Sequence, residues 1–287
     1  MRWDEQNQQV SEDIEDRRGE GGGGGGFGGG GMKIGLGGFV LLAVLSLVFR
    51  KNFFALLGGG DAGPSASTGV SVPAPAAPEE QRRVKFVSFV LDDVQATWMR
   101  ELPRAGRPYH HAKLVLFRDA VRSGCGYAER AMGPFYCPVD EKVYIDLGFY
   151  DELSHRFGAP GEFAQAYVIA HEVGHHVQTI LGIDERVRRA QQDRPDQANA
   201  LSVRMELQAD CLAGIWGHST EQRNILQQGD VESGLAAAAA VGDDRIQKAA
   251  TGRVNPERFT HGSSQQRTEW FRRGLSTGSV ASCDTFR

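Results

Sequence analysis

Two imidazoles and a carboxylate stand at a metal-hydrolase spacing in His171-Glu172-Val173-Gly174-His175. On an α-helix, positions i and i+4 share a face one turn apart. Both imidazoles can therefore reach one ion, with Glu172 beside them as general base of a metallopeptidase. Further on, Glu206-Leu207-Gln208-Ala209-Asp210 sets two carboxylates at the same interval. Catalytic zinc takes three protein ligands and keeps one position open. Glu206 supplies the third ligand. Asp210, one turn on, accepts a hydrogen bond from the distal nitrogen of a ligating histidine. Its neighbours Ala209, Cys211, Leu212 and Ala213 predict burial, and a buried carboxylate needs a partner.

Helices must present these groups. Ala166, Ile169, Val173, Val177 and Ile180 recur at intervals of three and four, and Gly182 supplies a stop, which predicts a helix over Glu162–Leu181. Leu201, Met205, Leu212 and Ile215 predict a second over Gln197–Trp216. Val231–Ala250, with alanine at 236 to 240, predicts a third. Strands are expected at Val84–Val90, Lys113–Phe117 and Val143–Leu147, and a helix at Asp92–Glu101 with an acidic start. Strands early and helices late make the class α+β.

The two motifs together resemble the gluzincins, whose third ligand is a glutamate. More of the chain resembles one bacterial group, the putative neutral zinc metallopeptidase family. The resemblance includes Glu15-Asp16-Arg17-Arg18, Gly133-Pro134-Phe135-Tyr136-Cys137-Pro138, Val143-Tyr144-Ile145-Asp146-Leu147 and the run from Phe259 to Arg267. It implies a zincin-like fold, a Zn2+ cofactor, a peptide substrate and a membrane anchor. It also implies that Val143–Leu147 lines the substrate cleft, where an extended peptide adds to the strand edge. Membrane stress proteases of the gluzincin type carry a similar Thr-His segment followed by Arg, here Thr260, His261 and Arg267. On that likeness His261 stabilises an oxyanion, while Arg267 can equally serve as a structural ion-pair partner.

The amino-terminal third reads differently. Residues 1–31 are polar, acidic and then almost pure glycine, which predicts disorder. Ile34–Phe49 is an uninterrupted apolar or small-residue run, continued by Phe53–Leu57 after Arg50 and Lys51. A spanning helix needs about 20 such residues, so residues 32–57 are expected to form one transmembrane anchor. A cleaved signal peptide is disfavoured by the long acidic lead, and a buried core helix by the flanking glycines. Residues 58–81, rich in Gly, Ala, Ser and Pro, read as a tether to a domain over 82–287. Arg17, Arg18 and Lys33 before the run nearly balance Arg50 and Lys51 after it, so charge sets no orientation.

The four cysteines lack zinc-finger spacing and suggest two disulfides in an oxidising compartment. Cys125–Cys137 closes a short loop, and Cys211–Cys283 then ties the ligand helix to the carboxyl end. These bridges put the domain outside the cytoplasm and the amino terminus inside.

The remaining candidates are discounted. His176 points off the metal face, and His110, His111, His155 and His218 read as surface or packing residues. Asp92-Asp93 and Asp243-Asp244 fit helix starts. Gly21–Gly31 lacks the strand and helix of a nucleotide loop. A net charge of −4, with no basic stretch interleaved with aromatics, gives nucleic-acid binding no support. The alternative to a peptidase is a membrane-tethered, zinc-containing binding or scaffold module without turnover. Glu172 argues against it, since a structural site needs no base.

Overall fold

A computed structural model describes residues 1–20 and 77–287. The expected anchor at 32–57 and most of the expected tether lie outside the described residues. Among the described residues no helix is long and apolar enough to cross a membrane.

The chain folds as α+β, as expected, with most of the sheet early and the helices late. Among the described residues six strands form, β1 Ile14–Asp16, β2 Lys113–Phe117, β3 Ala120–Ser123, β4 Gly126–Glu129, β5 Phe135–Cys137 and β6 Lys142–Asp146. The main sheet has the order β1-β2-β6-β5. Its first three strands run parallel, and β5 runs antiparallel to β6. β3 and β4 form a separate hairpin. The helices are α1 Pro78–Arg104, α2 Phe149–His155, α3 Glu162–Ile180, α4 Ile183–Asp193, α5 Ala198–Gln222, α6 Asp230–Ala240, α7 Asp243–Thr251 and α8 Ser264–Thr277.

Four expectations are corrected. Val84–Val90 is helix, part of α1. Read over a short window, Lys85-Phe86-Val87-Ser88-Phe89 looks extended. Over the whole element Val84, Val87, Val90, Leu91, Val94, Trp98 and Leu102 follow the helical interval and are buried. Pro78 in the first turn, followed by Glu79 and Glu80, suits a helix start inside the expected tether. Residues 1–20 are not a disordered tail. β1 pairs with β2 in the register Ile14 to Leu114 through Asp16 to Leu116, and Met1 is buried. The third expected helix is two, α6 and α7, broken at Gly242. There a side chain would meet the Ser264 backbone nitrogen at 2.4 Å. Finally β6 is an inner strand, flanked by β2 and β5, so the edge near the site is β5.

The core forms where α3 is wrapped by α1, α5, α6 and the sheet. Phe163, Ala166, Tyr167, Ile169, Ala170, Val173 and Val177 of α3 are buried. α5 and α8 cross in close contact. A Cβ on Gly274 would lie 1.9 Å from the Cys211 carbonyl oxygen, and one on Gly214 would lie 2.2 Å from the Phe271 carbonyl oxygen. Disulfides join Cys125 to Cys137 and Cys211 to Cys283, as the pairing argument expected.

Candidate metal centre

α3 and α5 bring the two sequence motifs face to face. The reason lies partly in Gly174, inside the first motif. A Cβ there would come within 3.1 Å of the Ala209 carbonyl oxygen and 3.3 Å of its Cα. The missing side chain lets α5 approach at Ala209, so Glu206 and Asp210 reach across to the histidines.

The Nε2 atoms of both histidines converge on one carboxylate. His171 Nε2 is 3.2 Å from Glu206 Oε2, and His175 Nε2 is 3.5 Å from Glu206 Oε1. The two rings stand edge to face, with centroids 4.9 Å apart. Each histidine is oriented through its other nitrogen. His171 Nδ1 donates to Asp210 Oδ1 at 2.9 Å, and His175 Nδ1 donates to Gln178 Oε1 at 2.8 Å. Gln178 is fixed in turn, donating to the Met205 carbonyl at 2.8 Å and to Gln208 Oε1 at 3.0 Å. Gln208 donates to the Cys283 carbonyl, beside the Cys211–Cys283 bridge.

Asp210 is fully buried and well satisfied. Besides His171 it accepts from Arg267 Nε at 2.8 Å, from Arg267 Nη2 at 2.9 Å and from the Tyr167 hydroxyl. Arg267 is therefore the structural ion-pair partner that its type allowed. Tyr167 and Gln178 are additions that motif reading missed. The signal was present as spacing, since Tyr167, His171, His175 and Gln178 fall on one helical stripe of α3.

The electrostatics favour a cation between the three groups. Burial opposes a charged His171, but the Asp210 and Glu206 carboxylates outweigh it and push the ring up to about 10. Burial also opposes an ionised Glu206, yet His175 and His171 hold it well below the usual carboxylate range. For Asp210, burial is overcome by Arg267 and His171, and its pKa is lowered. Glu172 goes the other way: burial raises it against the pull of both histidines. Two nitrogens and one carboxylate, each within reach of a common point, form a donor set that suits zinc. The site also meets the requirement for second-nitrogen partners that orient the ligands.

The site opens on a cleft of about 1110 Å³. Gly133, Pro134, Phe135, Tyr136 and Pro138, around the edge strand β5, form one wall, and Glu172 also faces this space. The residues 143–147 do not line it, which corrects the expectation for that strand. His261 does line it. Its loop is pinned by Asp243, which accepts from the backbone N–H groups of Thr260 and His261 at 2.7 Å each and of Gly262 at 3.1 Å. The His261 ring itself lies 3.2 Å from Asp243 Oδ1. That hydrogen bond, opposed by burial, raises its pKa. Asp243 stands at the start of α7, as its sequence position predicts, and there it also anchors the His261 loop.

A second juxtaposition joins His110, Glu141 and His176. Both ring nitrogens of the buried His176 are engaged there. Nε2 donates to the His110 carbonyl at 2.8 Å, and Nδ1 accepts from the Tyr136 hydroxyl at 3.1 Å. His176 thus ties α3 to the chain before β2 and to β5, as a structural residue does.

The profile of the family described as "Putative neutral zinc metallopeptidase" matches residues 1–286. The chain is 47% identical over 290 residues to the uncharacterized protein YpfJ of Escherichia coli K12, covering 100% of this chain and 99% of that protein. It is also 47% identical over 206 residues to the uncharacterized protein Rv2575 of Mycobacterium tuberculosis H37Rv, covering 68% of each. No solved structure matches.

Proposed function

The chain belongs to the putative neutral zinc metallopeptidase family, and from that premise we propose that it is a membrane-attached zinc peptidase. His171, His175 and Glu206 hold the ion. The observation that carries the reading is the convergence of both Nε2 atoms on the Glu206 carboxylate, at the floor of a cleft that Glu172 faces.

When bound, zinc would polarise the scissile carbonyl and lower the pKa of a water held beside it towards about 7. Glu172 then takes the proton of the attacking water at its carboxylate and passes it to the leaving amine nitrogen. Burial raises its pKa and so strengthens it as the base of the first step. Asp210 keeps the His171 proton on Nδ1 and so keeps Nε2 free to ligate. His261, whose pKa the hydrogen bond to Asp243 raises, faces the cleft as a donor for the oxyanion. An extended peptide adds to β5, whose edge borders the cleft; Pro134 and Pro138 flank that strand and limit the pairing to a short stretch. Membrane attachment rests on the apolar character of residues 32–57.

The test pairs two variants in the purified full-length protein. Glu206→Ala should lose zinc. Glu172→Gln should keep one zinc per chain and lose peptidase turnover by at least about 10²-fold, the scale of general acid–base catalysis. Wild-type turnover by the zinc-loaded Glu172→Gln protein would refute the assignment of the base.

A further inference from the structure

Asp243 is the one buried side chain that α7 gives to the fold. Ile246, Ala249 and Ala250 recur at the helical interval and line the cleft, with Arg245 beside them. All four are exposed, Ile246 at 40%. An amphipathic helix normally turns its apolar stripe to the core. α7 turns this one to the open cleft, where Phe149, Phe157 and Val168 continue the apolar lining.

The charge along this wall is unbalanced. The acidic side chains of the lining are Glu172, Asp184 and Glu206. Glu172 and Glu206 belong to the metal site, and Asp184 pairs with Arg188 at 3.4 Å. Two other arginines of the lining are also matched, Arg267 by Asp210 at 2.8 Å and Arg156 by Glu152 at 3.7 Å. Among the described residues Arg245 is the lining arginine without a carboxylate partner. An unmatched guanidinium next to an exposed apolar side chain, both facing a cleft, complements a ligand that joins an anion to an apolar group.

We propose that α7 sets the substrate preference of the cleft. It selects peptide segments in which a carboxylate stands beside a bulky apolar side chain, Arg245 binding the carboxylate and Ile246 the apolar group. The proposal rests on the reading of this cleft as one that takes peptides. Ala249 and Ala250, one turn on, leave room for the substrate backbone. An acidic side chain and the end of a chain present the same pair of acceptor oxygens to the guanidinium, so either is a source of the carboxylate. The placement also joins recognition to the site. Asp243, two residues before Arg245, is the group that holds the His261 loop through three backbone N–H groups.

The test uses the purified full-length protein, zinc-loaded and carrying Glu172→Gln so that peptides are held rather than cut. Fluorescein-labelled, amide-capped peptides Ala-Ala-Xaa-Phe-Ala-Ala and Ala-Ala-Phe-Xaa-Ala-Ala, with Glu, Gln or Lys at Xaa, are titrated by anisotropy. In at least one order the Glu peptide should bind roughly fivefold tighter than the Gln peptide, the scale of one solvent-accessible ion pair. High salt should close that gap. Adding Arg245→Glu should reverse the order in favour of Lys, and adding Ile246→Ser should reduce the advantage of Phe over Ala. Both positions are exposed, so neither change disturbs the core. Ala-Ala-Ala-Phe as free acid and as amide separates a chain end from a side chain as the source of the carboxylate. Equal affinities throughout, or a preference that survives Arg245→Glu, would overturn the proposal. Cleavage of the same peptides by the wild-type protein is read separately. Selective binding with no cleavage would refute the peptidase reading and leave the recognition by α7; cleavage with no selectivity would do the reverse.

Discussion

Replacing Asp210 by asparagine separates the two tasks that this carboxylate performs. The substitution keeps the shape and one carbonyl acceptor but removes the charge. Arg267, itself buried, then loses its bidentate partner, and the next carboxylate, Glu206, is 3.9 Å from Nη2. Breaking a buried pair by removing one partner costs about 3–5 kcal/mol, because the remaining charge stays uncompensated. That is a large share of the stability of an ordinary domain. The second task is orienting His171, and loss of such a partner weakens metal binding by roughly 10–100-fold. At fixed free zinc, the stabilisation that the ion confers should then shrink by about 1.4–2.7 kcal/mol. Urea unfolding of zinc-free and zinc-loaded protein reads the first effect, and competition with a chelator reads the second. Adding Arg267→Met should restore much of the stability, since no buried charge is left unpaired, without restoring zinc affinity. An Asp210→Asn protein that unfolds at the wild-type midpoint would refute the buried-pair argument. If zinc affinity returned along with stability in the double variant, the role given to the Asp210–His171 hydrogen bond would be wrong.

Three further outcomes are expected. Asp243→Asn should move the alkaline limb of kcat/KM to lower pH, because the carboxylate that raises the His261 pKa is gone and the imidazolium is lost sooner; His261→Ala should abolish that limb, and an unshifted limb in Asp243→Asn would exclude His261 as its source. The His261–Asp243 pair should also stabilise the fold fully below the unfolded histidine value of about 6.5 and fade as pH rises through the raised folded value; Asp243, whose folded pKa is lowered, withdraws the same contribution only at acid pH. Gly274→Ala should lower thermal stability by about 1–3 kcal/mol or more through overpacking against the Cys211 carbonyl, measured by calorimetry, and an unchanged melting temperature would mean that α8 can move off α5. Deleting residues 1–20 should cost on the order of 5 kcal/mol by uncovering Phe86 and the β2 edge, so a truncated chain as stable as the full one would show the docking to be peripheral.

How much was legible beforehand follows the range of each interaction. The helix over Glu162–Leu181 and the shared faces of His171 with His175 and of Glu206 with Asp210 were readable because a helical repeat places side chains by counting alone, while the expectation that the two pairs meet came from the three ligands that catalytic zinc requires. The disulfides were readable because four cysteines leave few pairings and loop lengths rank them. What escaped was set by partners distant in the chain. Whether Val84–Val90 is strand or helix is decided by an apolar stripe continuing to Leu102, which a seven-residue window does not contain. The break at Gly242 is decided by Ser264, and the inner position of β6 by which strand pairs on either side of it. Residues 1–20 show the principle most sharply. Their polar composition, together with the glycines that follow, predicts a tail. Yet its apolar groups, Met1, Trp3 and Ile14, each have a site in the core, and its charges meet opposite charges from α1, β2 and β6. Local polarity could not reveal this, because the strand has only three residues and gains its stability from a sheet formed by chain nearly a hundred residues away.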